Sequence, residues 1–138
     1  MESTTGPEPV CLLLIGLSED LARSLARYVS GDPRVALTGV APSLALASML
    51  APRTQPDLAL LDWATLSGSP PDAIRALRRN FPGLRIICVV NEAEPYVAPA
   101  ARAGADAVVS KDGFAGELDY LLRLFFPERF GKAPDQNG

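Results

Sequence analysis

The stretch Pro56-Asp57-Leu58-Ala59-Leu60-Leu61-Asp62 decides the fold. Leu58 to Leu61 are apolar without alternation, which is the pattern of a strand covered on both faces, as in a parallel sheet. The acid that closes the run then stands at the carboxyl edge, where open parallel sheets gather ligands and reactive groups. Outward from this stretch the same pattern returns at Val10–Ile15, Ile86–Val90 and Ala107–Val109. A weaker run, Val35–Val40, contains Thr38 and Gly39 and suits an edge strand.

Segments of helical period separate the runs. Ser18 caps a helix whose first turn carries Glu19 and Asp20, with Leu21, Leu25 and Tyr28 or Val29 on one face. Gly31, Asp32 and Pro33 stop it. Ser43 starts a short helix through Leu50, and Pro52 and Pro56 bracket the turn that follows. Pro70 and Pro71 open a third helix, which Pro82-Gly83 ends. Pro99 makes the alanine-rich segment from Ala93 to Ala103 short, kinked or late to start. The last helix, from Gly113 to Phe126, places Leu118, Leu121, Leu122 and Phe125 on one side, with Pro127 at its end. Five strand–helix repeats predict an α/β domain, a doubly wound five-stranded parallel sheet, over residues 10–130. Residues 1–9 are expected to be a disordered leader and 131–138 a disordered tail.

Composition removes several functions. The chain lacks histidine, which excludes Ser-His and Cys-His triads, HExxH zinc sites and a phosphohistidine carrier. Thirteen basic against sixteen acidic side chains disfavour nucleic acid or an anionic membrane as partner. No run approaches the roughly 20 apolar residues of a membrane span, and two cysteines outside any CxxC pair suit a reduced, cytoplasmic setting. Cys11 and Cys88 sit inside apolar strands and read as core residues rather than redox groups.

At the carboxyl edge the strands end in Gly16-Leu17, Asp62, Val90-Asn91 and Ser110-Lys111. Asp62 and Lys111 are the charged pair of interest there. Here PDLALLD resembles the strand-three signature of response-regulator receiver domains, and AARAGADAVVSKD (Ala100 to Asp112) is similar to their approach to strand five. The resemblance covers residues 10 to 126. It implies the flavodoxin-like strand order 2-1-3-4-5, Asp62 at the phosphoacceptor position and Lys111 at that of the phosphoryl-contacting lysine. It also marks an atypical, degenerate member. The acidic pair that holds magnesium in the family falls at Gly16 and Leu17, the switch hydroxyl at Val89 and the switch aromatic at Val108. Asp112 stands for the usual proline, and Thr65-Leu66 for the usual Met-Pro.

The loss of the acidic pair matters most for chemistry. Phosphoryl transfer to a carboxylate relies on charge neutralisation, and a magnesium ion wants several oxygen ligands. The expectation is therefore no cofactor, with magnesium disfavoured, and a binding module rather than an enzyme. Glu19 and Asp20 read as helix-dipole acids. Trp63 either closes the pocket or packs on a helix, and Arg75, Arg78 and Arg79 read as a solvated basic helix end. The function expected is a stand-alone receiver-like module binding a protein, a sensor kinase or a downstream signalling protein, without need of phosphorylation. An apolar patch near Phe125, Phe126 and Phe130 would serve that contact, with a homodimer possible through the helix 4, strand 5 and helix 5 face. The rivals are an authentic phosphoacceptor using Asp62 and a flavodoxin-like small-ligand binder, the latter weakened because Gly16-Leu17-Ser18 holds one glycine only.

Overall fold

The computed structural model describes residues 8–64, 66 and 68–130, so the expectations for 1–7 and 131–138 lie outside the described residues. The strands are β1 (Val10–Ile15), β2 (Val35–Ala41), β3 (Leu58–Asp62), β4 (Arg85–Val90) and β5 (Ala107–Ser110). All neighbours are parallel, in the order β2-β1-β3-β4-β5. β2 is an edge, as its broken apolar run requires, and Thr38 is passed over in the register where Leu12 and Leu13 face Leu37 and Gly39.

The helices are α1 (Glu19–Ser30), α2 (Leu44–Thr54), α3 (Pro70–Asn80), α4 (Val97–Ala103), α5 (Phe114–Phe125) and α6 (Pro127–Phe130). Strand alternation sends Leu13, Ile15, Ala59, Leu61, Ile86 and Cys88 against α2, α3 and α4, and Leu12, Leu14, Leu58, Leu60, Ile87 and Val89 against α1 and α5. Ser18, Ser43 and Ser69 cap α1, α2 and α3 with their hydroxyls. The segment before α4 starts late: one 3-10 turn, Glu94–Tyr96, precedes it. Pro99 thereby falls in the first helical turn, where its missing N–H breaks no intrahelical bond.

Three expectations need correction. α2 continues through Pro52 to Thr54, because proline's fixed φ is itself helical and Pro52 lies on the exposed side, where the carbonyl it leaves can be hydrated. Pro127 does not end helicity but opens α6, which buries Phe130 against the α1/α5 layer. That turn also removes the expected phenylalanine patch. Phe130 is buried, Phe125 and Phe126 are half-buried, and Arg85, Arg129 and Arg34 sit over the three rings at 4.6–5.6 Å. No helix among the described residues is long and apolar enough to cross a membrane.

Candidate functional site

β3 carries Asp62 to the carboxyl edge on the same side as Leu58 and Leu60, facing the α1/α5 layer. The side chain has no solvent exposure. Oδ1 accepts the Ala64 N–H at 2.9 Å, an Asx-type turn that starts the β3–α3 loop. Lys111, directly after β5, places Nζ 3.0 Å from Oδ2. The ammonium lies outside hydrogen-bond directions, and Oδ2 has no hydrogen bond among the described residues. The contact is thus charge against charge, at a site water does not reach. The sequence brought these two residues together correctly.

Val89 pairs in register with Asp62 and faces the same layer, so an aliphatic surface stands where a hydroxyl could have met the carboxylate. Val108 faces the other layer, toward the α2, α3 and α4 side. Leu17 packs into the α1/α5 layer.

Gly16, where an acidic-pair position was expected, is tightly packed. Its φ is +68°, and a Cβ there would lie 2.8 Å from Leu66 Cδ1 and 3.0 Å from Leu66 Cα. Leu66 lies in this place, its N–H donating to the Asp62 carbonyl at 3.2 Å. Leu66 is 6% exposed and joins the core on the α2/α3/α4 side. The next residue after Asp62, Trp63, packs its ring on Tyr96 with centroids 5.3 Å apart. Both readings of Trp63 meet here, since it packs on the turn before α4 and also lines the small cleft that remains. That cleft, bounded by Trp63, Ala64, Val90, Asn91 and Tyr96, holds about 30 Å³, space for little more than a water.

These residues do not fit magnesium. Asp62 offers one carboxylate, and no cluster of three His, Cys, Asp or Glu exists among the described residues. Glu19 and Asp20 face water, with side chains 92% and 96% exposed, and pair with Arg23. Leu66 fills the space beside Gly16 with hydrocarbon, and Lys111 holds the cation position. A larger groove of about 490 Å³ lies between α1 and the start of α5, lined by Leu21, Leu25, Tyr28, Lys111 and Phe114, and Asp62 is not part of its wall.

The cysteines take no part. Burial pushes the Cys88 thiol up to about 12, so it stays protonated. Cys11 is half-buried rather than fully in the core, and desolvation and then Asp57 raise its thiol too.

Charge missed by sequence reading sits at the opposite, amino edge. Arg78 is no solvated helix end. It donates to the carbonyls of Gly104 (2.9 Å), Pro82 (3.1 Å) and Leu84, and to Asp106 Oδ2 at 2.7 Å. Arg75 does face water and pairs with Asp72, and Arg79 is exposed.

No family model matches the chain. Over 104 residues it is 30% identical to the DNA-binding transcriptional activator DevR/DosR of Mycobacterium tuberculosis, which covers 75% of this chain and 48% of that protein. The chain therefore spans about half the length of the curated relative it matches. Among solved structures, the RcsB response regulator of Salmonella typhimurium aligns with a TM-score of 0.76 at 16% identity, over 94% of this chain and 64% of that one. The response regulator domain of Thermotoga maritima CheB gives 0.72 at 19% identity, over 88% and 96%. The signal receiver domain of NarL from Mycobacterium tuberculosis gives 0.68 at 26% identity, over 77% and 86%.

Proposed function

The chain is a response-regulator receiver domain in fold and likeness, and from that premise we propose that it signals by binding another protein, without magnesium and without phosphorylation of Asp62. The observation that supports this reading is the closure of the carboxyl edge. Asp62 has no exposed surface, and Leu66 occupies the space an acid at position 16 would need. A phosphoryl donor has no path to the carboxylate in this conformation. A phosphoryl group placed there would also find little to switch, because Val89 offers no hydroxyl and Val108 is a short, stiff side chain on the other face. A ligand shifts a two-state equilibrium only by its differential affinity for the states.

Trp63, the single tryptophan, reports on the site directly. Titration with millimolar magnesium and beryllofluoride is expected to leave its fluorescence without a saturable change. A saturable change lost in Asp62→Asn would sink the proposal. With a partner in hand, Asp62→Asn is expected to keep affinity within about threefold, or ~0.7 kcal/mol.

An authentic phosphoacceptor is the second reading. It is favoured by the survival of Asp62 and Lys111 at 3.0 Å, and it requires the β3–α3 loop to open.

A further inference from the structure

The groove between α1 and the start of α5 has a use that the closed carboxyl edge leaves open. Leu21, Leu25 and Tyr28 recur along one face of α1 and form one wall, and Phe114 with Ala115 forms the other. Leu21 and Tyr28 lie two turns apart, about 10 Å of helix. The volume, about 490 Å³, falls within the roughly 300–1,000 Å³ of small-molecule sites.

Three side chains bring polar groups to this apolar lining: Ser24, Tyr28 and Lys111. Lys111 is the one charged residue of the wall among the described residues, and Asp112 and Glu117, close by in the chain, are not part of it. The Lys111 ammonium meets Asp62 as charge alone. It donates no hydrogen bond among the described residues, and its side chain is 30% exposed. At the other end of the groove, burial and then the carboxylates of Asp119 and Asp32 hold the Tyr28 phenol above its ordinary value, so it stays a neutral donor. The groove is therefore polarised along α1, cationic at the carboxyl edge and shadowed by acids at the far end.

We propose that this groove binds a small organic monoanion, its carboxylate at Lys111 and its apolar body, about 10 Å long, laid along α1 toward Tyr28. The inference goes beyond the protein-binding reading and does not depend on it. Charge selects the occupant. A carboxylate takes up N–H donors that Asp62 leaves unused, whereas a second charge at the far end would face Asp119 and Asp32. Shape selects a small molecule over a second copy or a partner helix. Of the large apolar side chains in the wall only Tyr28 is exposed, at 37%. Little apolar area thus lies outside the concavity, against the roughly 800 Å² each partner gives a stable interface.

The test follows amide shifts of the isotope-labelled full chain on titration with phenylbutyrate. Phenylbutanol and phenylbutylamine, of the same shape, are the neutral and cationic controls. Expected are saturable shifts confined to Leu21 through Tyr28 and Lys111 through Ala115, with the carboxylate bound about fivefold or more tighter than either control. Lys111→Met should erase that preference. Asp62→Asn, which removes the carboxylate competing for Lys111, should tighten phenylbutyrate binding, an effect that a merely structural lysine would not give. Should Lys111→Met fail to fold with Asp62 left unpaired, Lys111→Met combined with Asp62→Asn makes the same comparison against Asp62→Asn alone. Equal affinity for the three compounds, no saturable shift at millimolar concentration, shifts on another face, or an unchanged affinity in Asp62→Asn would each overturn the proposal. So would a dimer, or saturation by a leucine-rich amphipathic peptide, at these residues in place of the carboxylate, since a protein would then be the occupant.

Discussion

The two edges of the sheet handle their acids in opposite ways. At the amino edge, Asp57 and Asp106 each immediately precede a strand and do the same thing. Asp57 donates its N–H to the Cys11 carbonyl and accepts the Cys11 N–H on Oδ2 at 2.9 Å; Asp106 does so with Ile86 at 2.8 Å. Each carboxylate also binds arginine: Arg129 for Asp57, and Arg78 with Arg85 for Asp106. These acids fasten neighbouring strands together through directed N–H donors, two on Asp57 Oδ2 and three shared by the Asp106 oxygens. At the carboxyl edge Asp62 has one N–H and an off-axis ammonium, with the aliphatic Val89 beside it in register on the same face. A reactive carboxylate in an open site needs charge around it, whereas a fastening one needs directed donors. In this chain the directed donors are at the amino edge, and the edge where the fold places chemistry is packed like a core.

The packing claim admits the largest effect. Gly16→Ala should cost about 2–3 kcal/mol, combining a side chain at φ +68° with contact against Leu66. Leu66→Ala alone should cost about 2 kcal/mol as a buried truncation. The double variant should be less destabilised than the sum by at least about 0.5 kcal/mol, because the Leu66 side chain is half of the clash. Additive costs in urea unfolding would mean that the Leu66 side chain beyond Cβ does not press on position 16.

The charge claim is tested by the same substitution at both edges. Asp106→Asn should cost about 2 kcal/mol, since it weakens charge-assisted bonds from Arg78, Arg85 and the Ile86 N–H. Asp62→Asn should change stability by less than about 1 kcal/mol, because removing a buried charge offsets the lost attraction and Lys111, 30% exposed, can turn to water. Equal costs by thermal unfolding would erase the difference between the edges.

Much of this was legible in the sequence, and the reasons differ by element. Uninterrupted apolar runs gave β1 its full bounds and β3, β4 and β5 to within one residue, because a run without polar alternates leaves little to blur an end. Asp62 and Lys111 were legible because strand ends in a parallel sheet share one edge. α2 was cut short at Pro52, where a local rule gave way to proline's own helical φ. Arg78 was misread because its partners are carbonyls of Pro82, Leu84 and Gly104, brought together only by the fold. Leu66 gave no periodic signal and could be seen only as a departure from the Met-Pro expected after the acceptor. Asp57 and Asp106 did leave a sign, an aspartate directly before an apolar run at two places.

The smallest effect concerns pH and the amino edge. Asp32, after α1, accepts the Arg34 side chain on both oxygens at 2.9 and 2.8 Å, and Arg34 in turn covers the Phe130 ring at 4.6 Å. The hydrogen bond from the Arg34 side chain, aided by its backbone N–H and opposed by partial burial, holds the Asp32 carboxyl below its ordinary value. A carboxyl depressed in the folded state adds stability above its unfolded pKa, about 3.9, and loses it as pH falls through the folded value. Side chains 23% and 40% exposed keep the pair screened, so Asp32→Asn should cost under about 1 kcal/mol at neutral pH. That gap should hold down to about pH 5, narrow through the unfolded value and close below the folded one. Urea unfolding of both proteins across this range measures it. A gap that persists unchanged at the acid end would show that Asp32 acts through the shape of its turn, with the ion pair contributing nothing.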